Sequence, residues 1–106
     1  MSEHLEGDER EFEEESRAHG GKVRVTVTYV NTSETVEFRM PRNDTLKTTF
    51  AEGYTELKEK PRPDDRYLCE DGVDLSPYLD LTLEELHRQK ICRKRRFQIA
   101  GPTGGA

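Results

Sequence analysis

Lys22-Val23-Arg24-Val25-Thr26-Val27-Thr28-Tyr29-Val30 places Val23, Val25, Val27 and Tyr29 on one face of an extended chain and Arg24, Thr26 and Thr28 on the other. Period-two alternation in β-branched and aromatic residues specifies a strand buried on one side. Downstream, Asn31-Thr32-Ser33-Glu34 supplies turn chemistry, and Thr35–Met40 alternates again with Val36, Phe38 and Met40 inward. The two runs predict a β-hairpin. A hairpin with one apolar face needs a second layer, and the next segment supplies it.

Pro41 ends the second run, and Asp44 or Thr45 is placed to cap a helix over about residues 45–59, with Leu46, Phe50, Tyr54 and Leu57 at helical spacing. Gly53 weakens that helix but permits close packing on the sheet. Lys58 and Lys60 suit its C-terminal dipole, and Pro61-Arg62-Pro63 stops it. Arg66–Cys69 reads as a short strand, Glu70-Asp71-Gly72 as a turn and Val73–Leu75 as a second short segment. Thr82 and Glu85 have the spacing of a capping box around one helical turn through Leu83–Leu86. A last strand is expected over about Ile91–Ala100, with Phe97 and Ile99 as core positions. The order gives an α+β fold, a mixed sheet of four to five strands crossed by one helix. Its first and last strands would run parallel at the centre, because the connection between them is long enough to cross over.

Upstream, residues 1–20 hold eight acidic side chains against Arg10 and Arg17, whereas the remaining chain is nearly neutral within a total net charge of -5. Leu5 and Phe12 are the only large apolar groups of this arm, so residues 1–21 are expected to be disordered. A solubilising leader is the favoured reading of this arm; it could also bind a basic partner, discourage contact with nucleic acid, or fold back on the chain's own basic cluster. The domain is assigned to residues 22–100, and residues 101–106 to a flexible tail. With 31% hydrophobic and 37% charged residues, the core must draw on few positions. The chain has neither an apolar run near 18 residues nor a charged-then-apolar leader, so a soluble protein without signal-peptide export is expected.

Cys69 and Cys92 lack CxxC or Cys/His ligand spacing, and His4, His19 and His87 are scattered, so no metal site, cofactor or catalytic group is expected. A disulfide stays open. Two small packed side chains in a reducing cytoplasm are the simpler expectation.

Over about residues 22–105 the chain resembles ubiquitin and its relatives, whose fold is the β-grasp. The resemblance is carried by Pro41-Arg42-Asn43-Asp44-Thr45 leading into the helix and by the proline loop Pro61–Leu68. The Leu-rich stretch with its one-turn helix, the last strand and Gly104-Gly105 complete it. The acidic arm is similar to that of small ubiquitin-like modifiers, and Ala106 after the di-glycine resembles stand-alone bacterial ubiquitin-like proteins. The resemblance implies a modifier that is itself no enzyme. A peptidase would remove Ala106 at the Gly105-Ala106 processing site. An E1-like activating enzyme would then adenylate Gly105, and an E2-like conjugating enzyme would pass it to an amine of a target protein. Two glycines in succession let such enzymes close around the backbone. Gly101-Pro102-Thr103 differs from the basic and apolar residues that precede ubiquitin's glycines, so dedicated enzymes are expected.

Arg88, Lys90, Arg93, Lys94, Arg95 and Arg96 form a basic cluster, within which Arg93, Lys94, Arg95 and Arg96 are the candidate partner-binding residues. No aromatic side chain interleaves them, so docking on an acidic groove of an activating enzyme fits better than nucleic acid. A solvated edge is an equal alternative. Membrane is not an expected partner. The six lysines (Lys22, Lys47, Lys58, Lys60, Lys90 and Lys94) are all possible acceptors of a second copy, and the outward face of the first strand is polar. Two other functions remain open, a sulfur carrier charged at the same carboxylate and a non-conjugated adaptor that binds through its sheet.

Overall fold

A computed structural model describes residues 12–18 and 20–101. The first alternating run forms β1 (Lys22–Tyr29), with Val23, Val25, Val27 and Tyr29 all buried. It pairs antiparallel with β2 (Glu34–Pro41) in a register that sets Val25 against Phe38. Ser33 carries a positive φ of 63° in the connecting turn.

The helix α2 (Leu46–Leu57) crosses the sheet with Leu46, Phe50, Tyr54 and Leu57 turned inward. Thr45, not Asp44, is its N-cap, and its Oγ1 accepts from the Thr48 N–H at 3.2 Å. Lys58 closes the other end in a left-handed conformation. A Cβ on Gly53 would sit 3.2 Å from both methyls of Val27, so the missing side chain sets how closely helix and sheet approach. The first free amides of α2, those of Leu46 and Lys47, donate to the carbonyls of Leu81 and Leu79 at 2.8 and 2.9 Å.

Among the described residues the sheet has four strands in the order β2-β1-β4-β3. Here β3 is Arg66–Cys69 and β4 is Arg96–Ala100; β1 and β4 are parallel and β3 and β4 antiparallel. The fifth strand that Val73–Leu75 would have made does not form. The chain gives a single bridge between Leu68 and Asp74, then turns at Pro77 into the 3-10 turn Ser76–Tyr78. β4 also starts later than Ile91, because residues 89–95 form the loop that closes onto Cys92. The helix α3 (Leu83–Arg88) is held by the full capping box of Thr82 and Glu85. Among the described residues no helix is long and apolar enough to cross a membrane.

Two expectations are corrected. Residues 12–18 are not disordered: they form the helix α1, and Phe12 is 1% exposed within the core cluster. One aromatic ring and two charge-paired glutamates offset the ordering cost that the composition alone suggested could not be met. Residues 1–11 lie outside the described set. Secondly, Cys69 and Cys92 are not separate packed thiols but a disulfide, with Cα atoms 5.9 Å apart. It joins the end of β3 to the loop before β4.

Candidate functional site

The conjugation residues Gly104 and Gly105 and the processing pair Gly105-Ala106 lie outside the described residues. The described chain does reach their base. β4 ends at Ala100, and Gly101 is buried where the strand leaves the sheet. A Cβ on Gly101 would meet Tyr29 Oη at 2.9 Å, Asn31 Nδ2 at 3.1 Å and Asp65 Oδ1 at 3.3 Å. Tyr54 Oη donates to Asp65 Oδ2, and the Arg62 N–H donates to the same oxygen at 3.1 Å, so the carboxylate is fixed. Burial first, then the hydrogen bond to Asp65, pushes the Tyr54 phenol well above its ordinary range. Tyr29 Oη and Asp65 Oδ1 are buried and make no hydrogen bond among the described residues.

Gly101 is therefore the one residue type that passes this point undistorted. Gly101→Ala is expected to lower stability by about 1–2 kcal/mol through overpacking. Tyr29→Phe deletes the nearest obstructing atom and removes an unmade hydrogen bond. In urea unfolding the Gly101→Ala/Tyr29→Phe pair should recover most of the loss; purely additive effects would refute the steric account.

The basic cluster divides at the opposite end of β4. Arg93 and Lys94 are exposed, and they make no ion pair among the described residues. Arg96 reaches Glu70 at 3.5 Å and lines a shallow groove on the open sheet face with Thr26, Thr28, Thr35, Glu37 and Gln98. Thr28 and Thr35 share a hydroxyl hydrogen bond of 2.9 Å, and Arg24 pairs with Glu37 at 3.1 Å. That face is polar, as the first strand implied. All six lysines are exposed, and none is singled out by its surroundings.

Arg95 is held inside the molecule. Its guanidinium pairs with Glu15 of α1, donates to the Arg24 carbonyl at 3.0 Å, and lies 4.8 Å from the centre of the Phe12 ring. Arg42 sits 5.2 Å from the same ring and grips both oxygens of Glu13 at 3.0 and 3.1 Å. It also bonds Ser16 Oγ at 3.2 Å and Glu84 at 2.9 Å. His87 stacks on Phe12 with ring centres 4.3 Å apart and planes 8° from parallel. The fold-back of the acidic arm on the basic cluster is thus realised through α1. Arg42 lay outside every basic run, and no spacing could have paired it with Glu13.

Hydrogen bonds from Arg42 hold the carboxyls of Glu13 and Glu84 below their ordinary value of 4.5. A depressed folded pKa contributes stability above the unfolded value and loses it as pH falls through the folded one. Docking of α1 is therefore expected to weaken below about pH 4.5. Amide exchange at residues 12–18 should accelerate between pH 5 and 3 once intrinsic rates are divided out, and Arg42→Gln should flatten that response. Unchanged protection across the range would refute it.

Among the described residues no group of His, Cys, Asp and Glu is placed to hold a metal ion. No protein-family model matches the chain, and no curated protein matches it either.

Proposed function

We propose that the chain is a ubiquitin-like protein modifier of β-grasp architecture, conjugated through the carboxylate of Gly105. One observation carries the reading. The sheet order β2-β1-β4-β3, with its parallel central pair, delivers β4 to a buried exit at Gly101, three residues before Gly104-Gly105. A di-glycine alone is a weak motif. Placed just beyond the last strand of such a sheet, it has a rigid body to present it and little chain in which to get lost.

The chemistry is that of an acyl donor. Hydrolysis of the Gly105–Ala106 amide releases alanine and a Gly105 carboxylate. That carboxylate attacks the α-phosphorus of ATP, giving an acyl adenylate and pyrophosphate. The thiolate of an E1-like enzyme displaces AMP, and the thioester passes to the thiol of an E2-like enzyme. A target amine then displaces that thiol to form an isopeptide bond. Glycine at both positions leaves the narrowest backbone for these enzymes to close around. Arg93 and Lys94, exposed and not ion-paired among the described residues, suit an acidic surface on one of them. ATP-dependent activation would require a cytoplasmic site of action, in which the Cys69–Cys92 bridge has to resist reduction; burial of both residues, at 3% and 1% exposure, slows that reaction.

Intact-mass spectrometry of the protein expressed in its own host tests the reading. Loss of Ala106, and higher-mass adducts that vanish with Gly105→Ala, are expected. A thiocarboxylate mass on Gly105 would replace the modifier by a sulfur carrier. An unprocessed terminus without adducts would leave an adaptor.

A further inference from the structure

The cradle that holds α1 has the composition of a recognition site. Its walls are the guanidinium groups of Arg42 and Arg95, and the imidazole of His87 stacks on the buried ring between them. Each arginine also takes a carboxylate from the same helix, Glu13 on Arg42 and Glu15 on Arg95. The Arg24 N–H adds a third donor, to Glu15 at 2.7 Å. Together these groups read one aromatic ring and two carboxylates, in the pattern Phe-Glu-x-Glu.

Among the described residues, α1 pairs with Arg42 and Arg95 alone of this surface's cations. The loop between His87 and Arg95 carries Lys90, Arg93 and Lys94, all exposed and none ion-paired among the described residues. The covalent link from α1 to β1 runs through two glycines. Gly20 and Gly21 have φ of 66° and 87°, and a Cβ built on either would touch nothing within 4 Å. Gly21 donates its N–H to the Ser16 carbonyl at 2.6 Å and accepts from the Arg42 N–H at 2.9 Å, so the glycine pair is the point at which α1 would turn away from β1.

We propose that the Arg42–Arg95–His87 cradle is a docking site for an acidic helical segment of a partner protein carrying a phenylalanine, with α1 as its displaceable occupant in cis. Charge complementarity selects the partner, because the loop that leads to Arg95 carries three further cations that make no ion pair among the described residues. The linker keeps α1 at an effective concentration on the order of millimolar, so a partner competes only by engaging those additional cations. This inference is independent of the chemistry at Gly105.

The test uses the full chain. In the double variant Glu13→Gln/Glu15→Gln the charge pairs that hold α1 are removed while Phe12 stays; Phe12→Ala is a second way of opening the cradle. The probe is a fluorescein-labelled peptide of residues 8–20, alongside an unrelated host helix bearing only the Phe-Glu-x-Glu pattern and a scrambled control. Both patterned peptides are expected to bind the opened chains at micromolar concentration, at least tenfold more tightly than wild type. Adding Arg95→Glu, or replacing the peptide phenylalanine by alanine, should abolish binding. The proposal is overturned if neither opened chain binds the peptides saturably, or if wild type and opened chains bind equally. It is overturned too if the scrambled control binds as well, or if the opened chains bind double-stranded DNA and ignore the peptides.

Discussion

Replacing Cys69 and Cys92 together by alanine is expected to lower the unfolding free energy by about 3.5 kcal/mol, from the loop-closure entropy of a bridge spanning 23 residues. For a domain of this size the midpoint temperature should fall by roughly 15–25 °C. The bridge ties the C-terminal end of β3 to the loop before β4 and encloses the 3-10 turn and α3. Those elements are short, and ladder hydrogen bonds do not secure them. A closed loop therefore restricts the unfolded chain just where the folded one has least regular structure. Guanidinium unfolding of the oxidised chain, the reduced chain and the alanine pair gives the measurement. Equal midpoints for oxidised and reduced protein would refute the assignment of stability to the bridge. Because both sulfurs are buried, reduction in native buffer should be slow and should track local opening rather than thiol concentration.

The bridge also bears on the cradle. Residues 89–95 run from α3 to Arg95 and are pinned at Cys92. Reduction is expected to loosen Arg95, and with it α1, before the sheet is affected.

What could be read in the chain follows from where each signal resides. The alternation of Val23, Val25 and Val27 and the spacing of Leu46, Phe50, Tyr54 and Leu57 are local properties, and each produced the element it implied. The Thr82–Glu85 capping box is equally local, and it formed as spaced. Gly53 was legible as a close-packing glycine because it stands on the apolar face of a helix. The non-local features were not legible. Phe12 is one ring among glutamates, and its burial depends on Arg42, Arg95 and His87 arriving from three different segments. Cys69 and Cys92 carry no spacing that marks a bridge, and only the antiparallel pairing of β3 with β4 brings their segments together. Val73–Leu75 had the composition of a strand, but Pro77 turns the chain before a ladder can extend. Of the candidate site, the polar sheet face and the fold-back of the acidic arm were visible in outline, whereas the division of labour between Arg95 and Arg93-Lys94 was not.

Phe12→Ala is expected to cost about 2–3 kcal/mol, less than the ~3–5 kcal/mol of a phenylalanine deleted from a continuous core such as Phe97. The ring is almost wholly buried, so the transfer loss is large. The damage is nevertheless capped. A helix spanning residues 12–18 is too short to persist alone, so once its anchor is gone it leaves the cradle as a unit. If the body stays folded without it, the global loss cannot exceed the net docking free energy of that unit. Hydrogen exchange separates the two cases. In Phe12→Ala, amides 13–18 should lose protection to near random-coil rates while those of β1 and β4 keep most of theirs. In Phe97→Ala, β1, β4 and α2 should lose protection together, since Phe97 packs at the sheet centre against Phe50 with ring centres 5.6 Å apart. Uniform loss across the whole chain in Phe12→Ala would mean that α1 is integral to the core rather than docked on it. The displaceable occupant of the cradle would then be untenable, because the helix could not leave without taking the fold with it.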